Sequence, residues 1–168
     1  MKVFFKLLLI LILGVFTFIN LTDSGFAQML LHGSVEKVPD GFFGTWRVVS
    51  NLVETDSPER FKPRGVDLWN LYSEYNVIIL SNPFSGAKAE ISINNAGKTF
   101  IQFSKTGKYE DKILTDKVSI NISGDNFTGI DEIKLDTLSG VDGKVIKTQT
   151  AKYAIKGERI SGQDVIVK

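Results

Sequence analysis

The chain has 168 residues, 43% of them hydrophobic, with 20 basic and 19 acidic side chains and no cysteine. Charge so evenly balanced, with no clustered basic run, argues against nucleic acid or an anionic membrane surface as the main partner. Without cysteine there are no disulfides and no cysteine-linked lipid, so stability has to come from buried apolar surface.

Met1, Lys2 and Lys6 form a short positive stretch ahead of an apolar run from Leu7 to Ile19, and a polar segment follows that ends Gly25-Phe26-Ala27. This is the pattern of an export signal, with small residues at Gly25 and Ala27 marking a cut between Ala27 and Gln28. A spanning helix needs roughly 20 apolar residues. The run between Lys6 and Asn20 is shorter, so no stable membrane span is expected once the signal is removed. Loss of Lys2, Lys6 and Asp23 takes the 20 bases and 19 acids to 18 of each, a formally neutral processed chain. An exported chain without cysteine fits a bacterial periplasm or secreted location better than a eukaryotic secretory route. The expected organisation is a signal peptide at 1–27, a flexible segment at 28–40 and one domain at 41–168, a size that suits a single core.

The first predicted strand runs from Gly44 to Glu54. Next comes Glu54 to Arg64, which mixes three acids with three bases and reads as a solvated loop, with at most one helical turn at Ser57 to Phe61. Further strands are expected at Val66 to Tyr72, Val77 to Ser81, Ala87 to Asn94, Lys98 to Lys105, Lys112 to Ile122, Phe127 to Leu135, Lys144 to Ile155 and Glu158 to Ile160. The alternation carries this reading. Ala89, Ile91 and Ile93 alternate with Lys88, Glu90, Ser92 and Asn94, and Val118, Ile120 and Ile122 alternate with Lys117, Ser119 and Asn121. A period of two marks a strand with one buried and one wet face. Turns are expected at the glycine-bearing or asparagine-bearing breaks: Asn95-Ala96-Gly97, Thr106-Gly107, Ser123 to Asn126, Ser139 to Gly143 and Lys156-Gly157. All four prolines lie before Phe84, which suits an unbroken run of hydrogen-bonded strands after it. Alternation slips inside Lys144 to Ile155, where a bulge is expected. Eight or nine short antiparallel strands in series give an all-β fold, either an up-and-down meander closed into a small barrel or a β-sandwich.

Gly44-Thr45-Trp46 opens this series, after Asp40-Gly41-Phe42-Phe43 and ahead of a long polar loop. It resembles the G-x-W opening of the lipocalins and their calycin relatives. That resemblance implies a barrel whose floor is closed by Gly44 and Trp46, with Arg159 from a late strand packed across the indole.

Few groups that carry chemistry remain. There is no cysteine, and the single histidine, His32, falls in the expected flexible segment ahead of the first strand, so neither a zinc site nor a Ser-His-Asp or Cys-His arrangement is expected. No catalytic residue, metal or cofactor is therefore expected. The adjacent acids Asp131-Glu132 and Glu110-Asp111, and the pair Asp136 and Asp142, read as solvent-facing charge, because sequence neighbours on a strand point to opposite faces. Gly124 to Asp131 is rich in oxygen ligands but lacks the spacing of a calcium loop.

Large rings are the more informative set. Trp46, Trp69, Phe103 and Tyr153 are the candidate ligand-binding residues, with Trp69 and Tyr153 singled out because each carries a polar tip that a buried site has to satisfy. Two functions stay open: an exported, non-enzymatic binding protein holding a hydrophobic or amphipathic small molecule such as a lipid or fatty acid, or a solid-core module that binds an envelope protein through its loops.

Overall fold

The computed structural model describes residues 38–39, 41–162 and 166–167. The expected signal peptide, its cut after Ala27, His32 and most of the expected flexible segment lie outside the described residues. Eight strands run up and down: β1 (Gly44–Thr55), β2 (Arg64–Glu74), β3 (Val77–Ser81), β4 (Lys88–Ala96), β5 (Phe100–Tyr109), β6 (Lys112–Ser123), β7 (Asn126–Leu138) and β8 (Val145–Ser161). Each is antiparallel to the next, and β1 pairs with both β2 and β8, so the sheet closes on itself. One closed sheet, not a two-sheet sandwich, is how this chain removes its strand edges. A short β9 (Ile166–Val167) lies parallel to Ser73 and Glu74 of β2, beyond the point where β1 begins. No helix occurs among the described residues.

Two expected turns are absent. Thr106-Gly107 is not a turn: β5 continues to Tyr109, Gly107 pairs with Leu114, and Glu110 takes the positive φ of 53° at the hairpin. Lys156-Gly157 is not a turn either, and β8 absorbs the strand expected at Glu158 to Ile160. Gly157 sits in extended backbone because the Phe127 ring lies against its Cα, where any Cβ collides with ring carbons. That glycine supplies space, not curvature. The bulge expected inside Lys144 to Ile155 falls at Ile146, which β7 skips between Thr137 and Leu138, and a second irregularity falls at Ile160, which β1 skips between Thr45 and Trp46. From Gln149 to Gly157 the odd residues are buried without a break, and the exposed Ile146 is what makes the alternation look shifted.

The barrel has a closed end and an open end. At the closed end the inward residues of every strand converge into a dry aromatic plug. Phe42, Trp46, Phe103 and Phe127 are all buried to 2% exposure or less, with Ile101, Ile120 and Ile155 filling between them. Phe127 is the hub: its centroid lies 5.1 Å from Trp46 and 5.9 Å from Trp69, the latter stacked at 26°. Trp69 in turn meets Phe103 edge-on at 6.3 Å. An eight-stranded barrel is just wide enough for side chains to fill, and at this end they do.

Arg159 of β8 finishes the plug. Its guanidinium lies 4.0 Å from the Trp46 ring centroid, a cation–π contact worth about 2 kcal/mol when desolvated. Its Nη1 donates to the carbonyls of Phe43 (2.6 Å) and Gly162 (3.0 Å), its Nη2 to the carbonyl of Gly41, and its Nε to the Asp125 carboxylate at 3.0 Å. The indole N–H of Trp46 donates to the Phe42 carbonyl at 3.1 Å. Gly44 has φ +122°, and a Cβ there would collide with the Gly162 carbonyl and the Arg159 guanidinium. A single arginine thus ties the approach to β1 to the end of β8.

Candidate functional site

Above the plug the inward face changes chemistry. On β5 the buried series Ile101, Phe103 continues to Lys105; on β6 Ile122, Ile120, Val118 continues to Asp116; on β7 Phe127 is followed on the same face by Asp131 and Ile133. Strand parity alone therefore carries three charged side chains into the barrel. Together with Trp69, Leu80, Ala89 and Tyr153 they wall a cavity of about 360 Å³ that opens toward the first loop. Lys62, Arg64, Asp67 and Lys88 edge its mouth.

The charged groups are neighbours by register. Lys105 stands directly opposite Asp116, and Asp131 lies between Val118 and Tyr153. The Lys105 ammonium pairs with Asp116 Oδ2. Asp116 is 4% and Asp131 8% exposed, and in each the Oδ1 atom is buried without a hydrogen-bond partner. Burial is the main reason that the Asp131 carboxyl is pushed up to about 6; Lys105 pulls against it and Glu132 adds to it. Burial likewise lowers the ammonium of Lys105, against the opposing pull of Asp131 and Asp67. The Tyr153 phenol is raised, first by burial and then by Asp131.

The first loop borders the mouth of this chamber with its charged side chains Glu54, Asp56, Glu59, Arg60, Lys62 and Arg64 all exposed, as expected of solvated charge, and its backbone is tied to the barrel. Tyr153 donates its hydroxyl to the Lys62 carbonyl at 3.0 Å, Leu52 N–H donates to the Pro63 carbonyl at 2.8 Å, and Phe61 packs against the core. One turn at Ser57, with its carbonyl accepting from Arg60 and Phe61, shapes the loop.

Of the four ring residues expected to bind a ligand, Trp69 and Tyr153 line the cavity. Trp46 and Phe103 lie below it in the plug, and Trp69 spans both regions. Asp131, read from sequence as solvent-facing, instead faces inward, while its neighbour Glu132 faces out and meets Lys152 at 3.1 Å. Asp111 and Asp142 are surface groups held by Lys112 and Lys144, whereas Asp136, also read from sequence as solvent-facing, is buried to 7% exposure and held by Lys134 and the Thr148 hydroxyl. Among the described residues no three His, Asp or Glu side chains come together as a metal cluster. Lys105 and Asp116 were not singled out from the sequence, although continuing the alternation two residues beyond Phe103 and Val118 places both inside.

No protein-family model, curated protein or solved structure matches this chain.

Proposed function

We propose that this is an exported, non-enzymatic binding protein that holds one amphipathic small molecule, lipid-like in having an apolar body, in the open half of a lipocalin-like barrel. The observation that carries the reading is the cavity itself. At about 360 Å³ it falls at the small end of the roughly 300–1,000 Å³ typical of ligand pockets. Its wall joins apolar Trp69, Leu80, Ala89 and Ile133 to the Lys105–Asp116–Asp131 group. A mixed wall favours an amphipathic guest over a purely apolar one. The lipocalin likeness draws support from Gly44, from Trp46 at the closed end and from Arg159 laid across it. A non-enzymatic role fits the placement of the two buried carboxylates. They stand on adjacent strands of one wall, whereas carboxylate catalysis of the glycosidase kind sets them on either side of the scissile bond.

Native mass spectrometry of the protein purified from its own host tests this. A bound mass of a few hundred daltons, lost on denaturation, is the expected result. A bare polypeptide that gains no thermal protection from any added amphiphile counts against it.

A second reading, an interaction module for an envelope protein, draws on the loop between β3 and β4. Phe84 is 89% exposed there, and the Asn82 carboxamide oxygen accepts the N–H groups of both Phe84 and Ser85, which holds the ring outward. Tyr109, at the end of β5, and Val141, in the loop between β7 and β8, are exposed at the same end. Cross-linking in the host with Phe84→Ser and Val141→Ser tests that reading: captured partners should disappear, and an unchanged set rejects it.

A further inference from the structure

The interior charges do not balance. Two carboxylates, Asp116 and Asp131, face one ammonium, Lys105, and one oxygen of each acid has no donor. Leaving a buried acceptor unmet costs about 1–3 kcal/mol, more when it is charged. Buried side-chain oxygens without a partner are uncommon in folded proteins, and each calls for an explanation. Both acids belong to the cavity wall, and both are more than nine-tenths buried. Two rings that favour cations, Trp69 and Tyr153, belong to the same wall.

Resting on the binding-protein reading above, we infer that the guest is an organic amine whose ammonium sits against Asp131 and Asp116, matching the second carboxylate with a second cation, while its apolar body lies along Trp69, Leu80 and Ile133. The mouth argues weakly the other way, since Lys62, Arg64 and Lys88 are basic. These three are exposed, however, and salt screens exposed charges far more than buried ones. Asp67 also stands among them. Recognition is therefore set by the buried group, and the rim by comparison contributes little. The raised pKa of Asp131 agrees with a site whose negative charge is under-compensated until a cation arrives.

Three probes with one tail and three heads separate the possibilities: n-hexylamine, 1-hexanol and hexanoate, titrated calorimetrically at pH 7.5 into the protein as its host processes it, after removal of any bound guest. Hexylamine should bind at least tenfold tighter than hexanol, with hexanoate weakest. Asp131→Asn should reduce the amine's advantage over hexanol to less than threefold. Circular dichroism and a melting temperature no lower than the parent's establish that the variant is folded. Lys105→Met, which removes the competing cation, should tighten hexylamine further. If hexanoate binds best, or if all three bind alike, the amine assignment is wrong while the pocket reading survives. If none binds at millimolar concentration, both fall. Amine binding indifferent to both substitutions also rejects the assignment, because the ammonium then sits elsewhere.

Discussion

The two halves of this barrel solve the same packing problem differently. At the closed end the inward positions hold apolar and aromatic side chains, with Gly157 leaving room for Phe127, and the one cation, Arg159, has its donors met by three carbonyls and a carboxylate. At the open end the inward positions hold Lys105, Asp116 and Asp131, and two carboxylate oxygens have no donor. One half is organised for stability. The other tolerates a local cost, the usual mark of a surface kept for something else.

Substitutions that exchange the character of the two halves sharpen that contrast. Trp46→Ala removes a ring that is 1% exposed and should cost the most, about 3–5 kcal/mol for emptying a packed site, read from guanidinium unfolding. A loss under 1 kcal/mol means that the plug is not the stabilising half.

Asp131→Asn should act with the opposite sign. A carboxyl raised from 3.8 to about 6 is an acid whose charged form the fold disfavours. Its stability cost is absent below the ordinary value, grows as pH rises from about 4 to 6, and stays constant above that. Lys105, Asp116 and Tyr153 face it within the barrel, and Glu132 adjoins it on the outside. A rise from 3.8 to about 6 corresponds to about 3 kcal/mol, so the variant should be more stable than its parent at pH 8 by up to that amount. At pH 4 the two should coincide. Equal stability at both pH values contradicts the assignment of a buried, under-compensated charge.

Arg159→Lys keeps the charge but loses the forked geometry that reaches Gly41, Phe43 and Gly162 together. About 2 kcal/mol should be lost, and a melting curve unchanged by the substitution shows that charge alone suffices. The smallest effect belongs to Tyr153→Phe. Losing one hydrogen bond to the Lys62 carbonyl should cost about 1 kcal/mol, and amide exchange should quicken across the loop from residue 56 to residue 63. No change in exchange there means that the loop is held by Phe61 and Pro63 instead.

Much of this architecture is legible in the residues. Alternation in Ala89 to Asn94 and Lys117 to Ile122, with turn residues between, marks the strands, and Gly44-Thr45-Trp46 marks where the barrel begins. Glycine misleads where its role is space. Gly157 is small because Phe127 fills the volume above it, a contact between residues 30 positions apart that no local pattern reports. The site was half visible. Trp69 and Tyr153 stand out by size and polar tips, but charge made Asp131 look solvent-facing although its parity with Phe127 placed it inside. Where chemistry and parity disagree on a strand, parity decides direction, and the disagreement itself marks the position to examine.

The central claim is that Asp131 is a buried carboxylate short of compensation inside the open half of the barrel. A pH titration of its side-chain carboxyl carbon by NMR, on protein freed of any guest, addresses it directly. A midpoint near 6, shifting to lower pH on addition of hexylamine, is the expected result. A midpoint at or below the ordinary 3.8, unmoved by the amine, means that the carboxylate is already satisfied, and the distinction between the two halves fails.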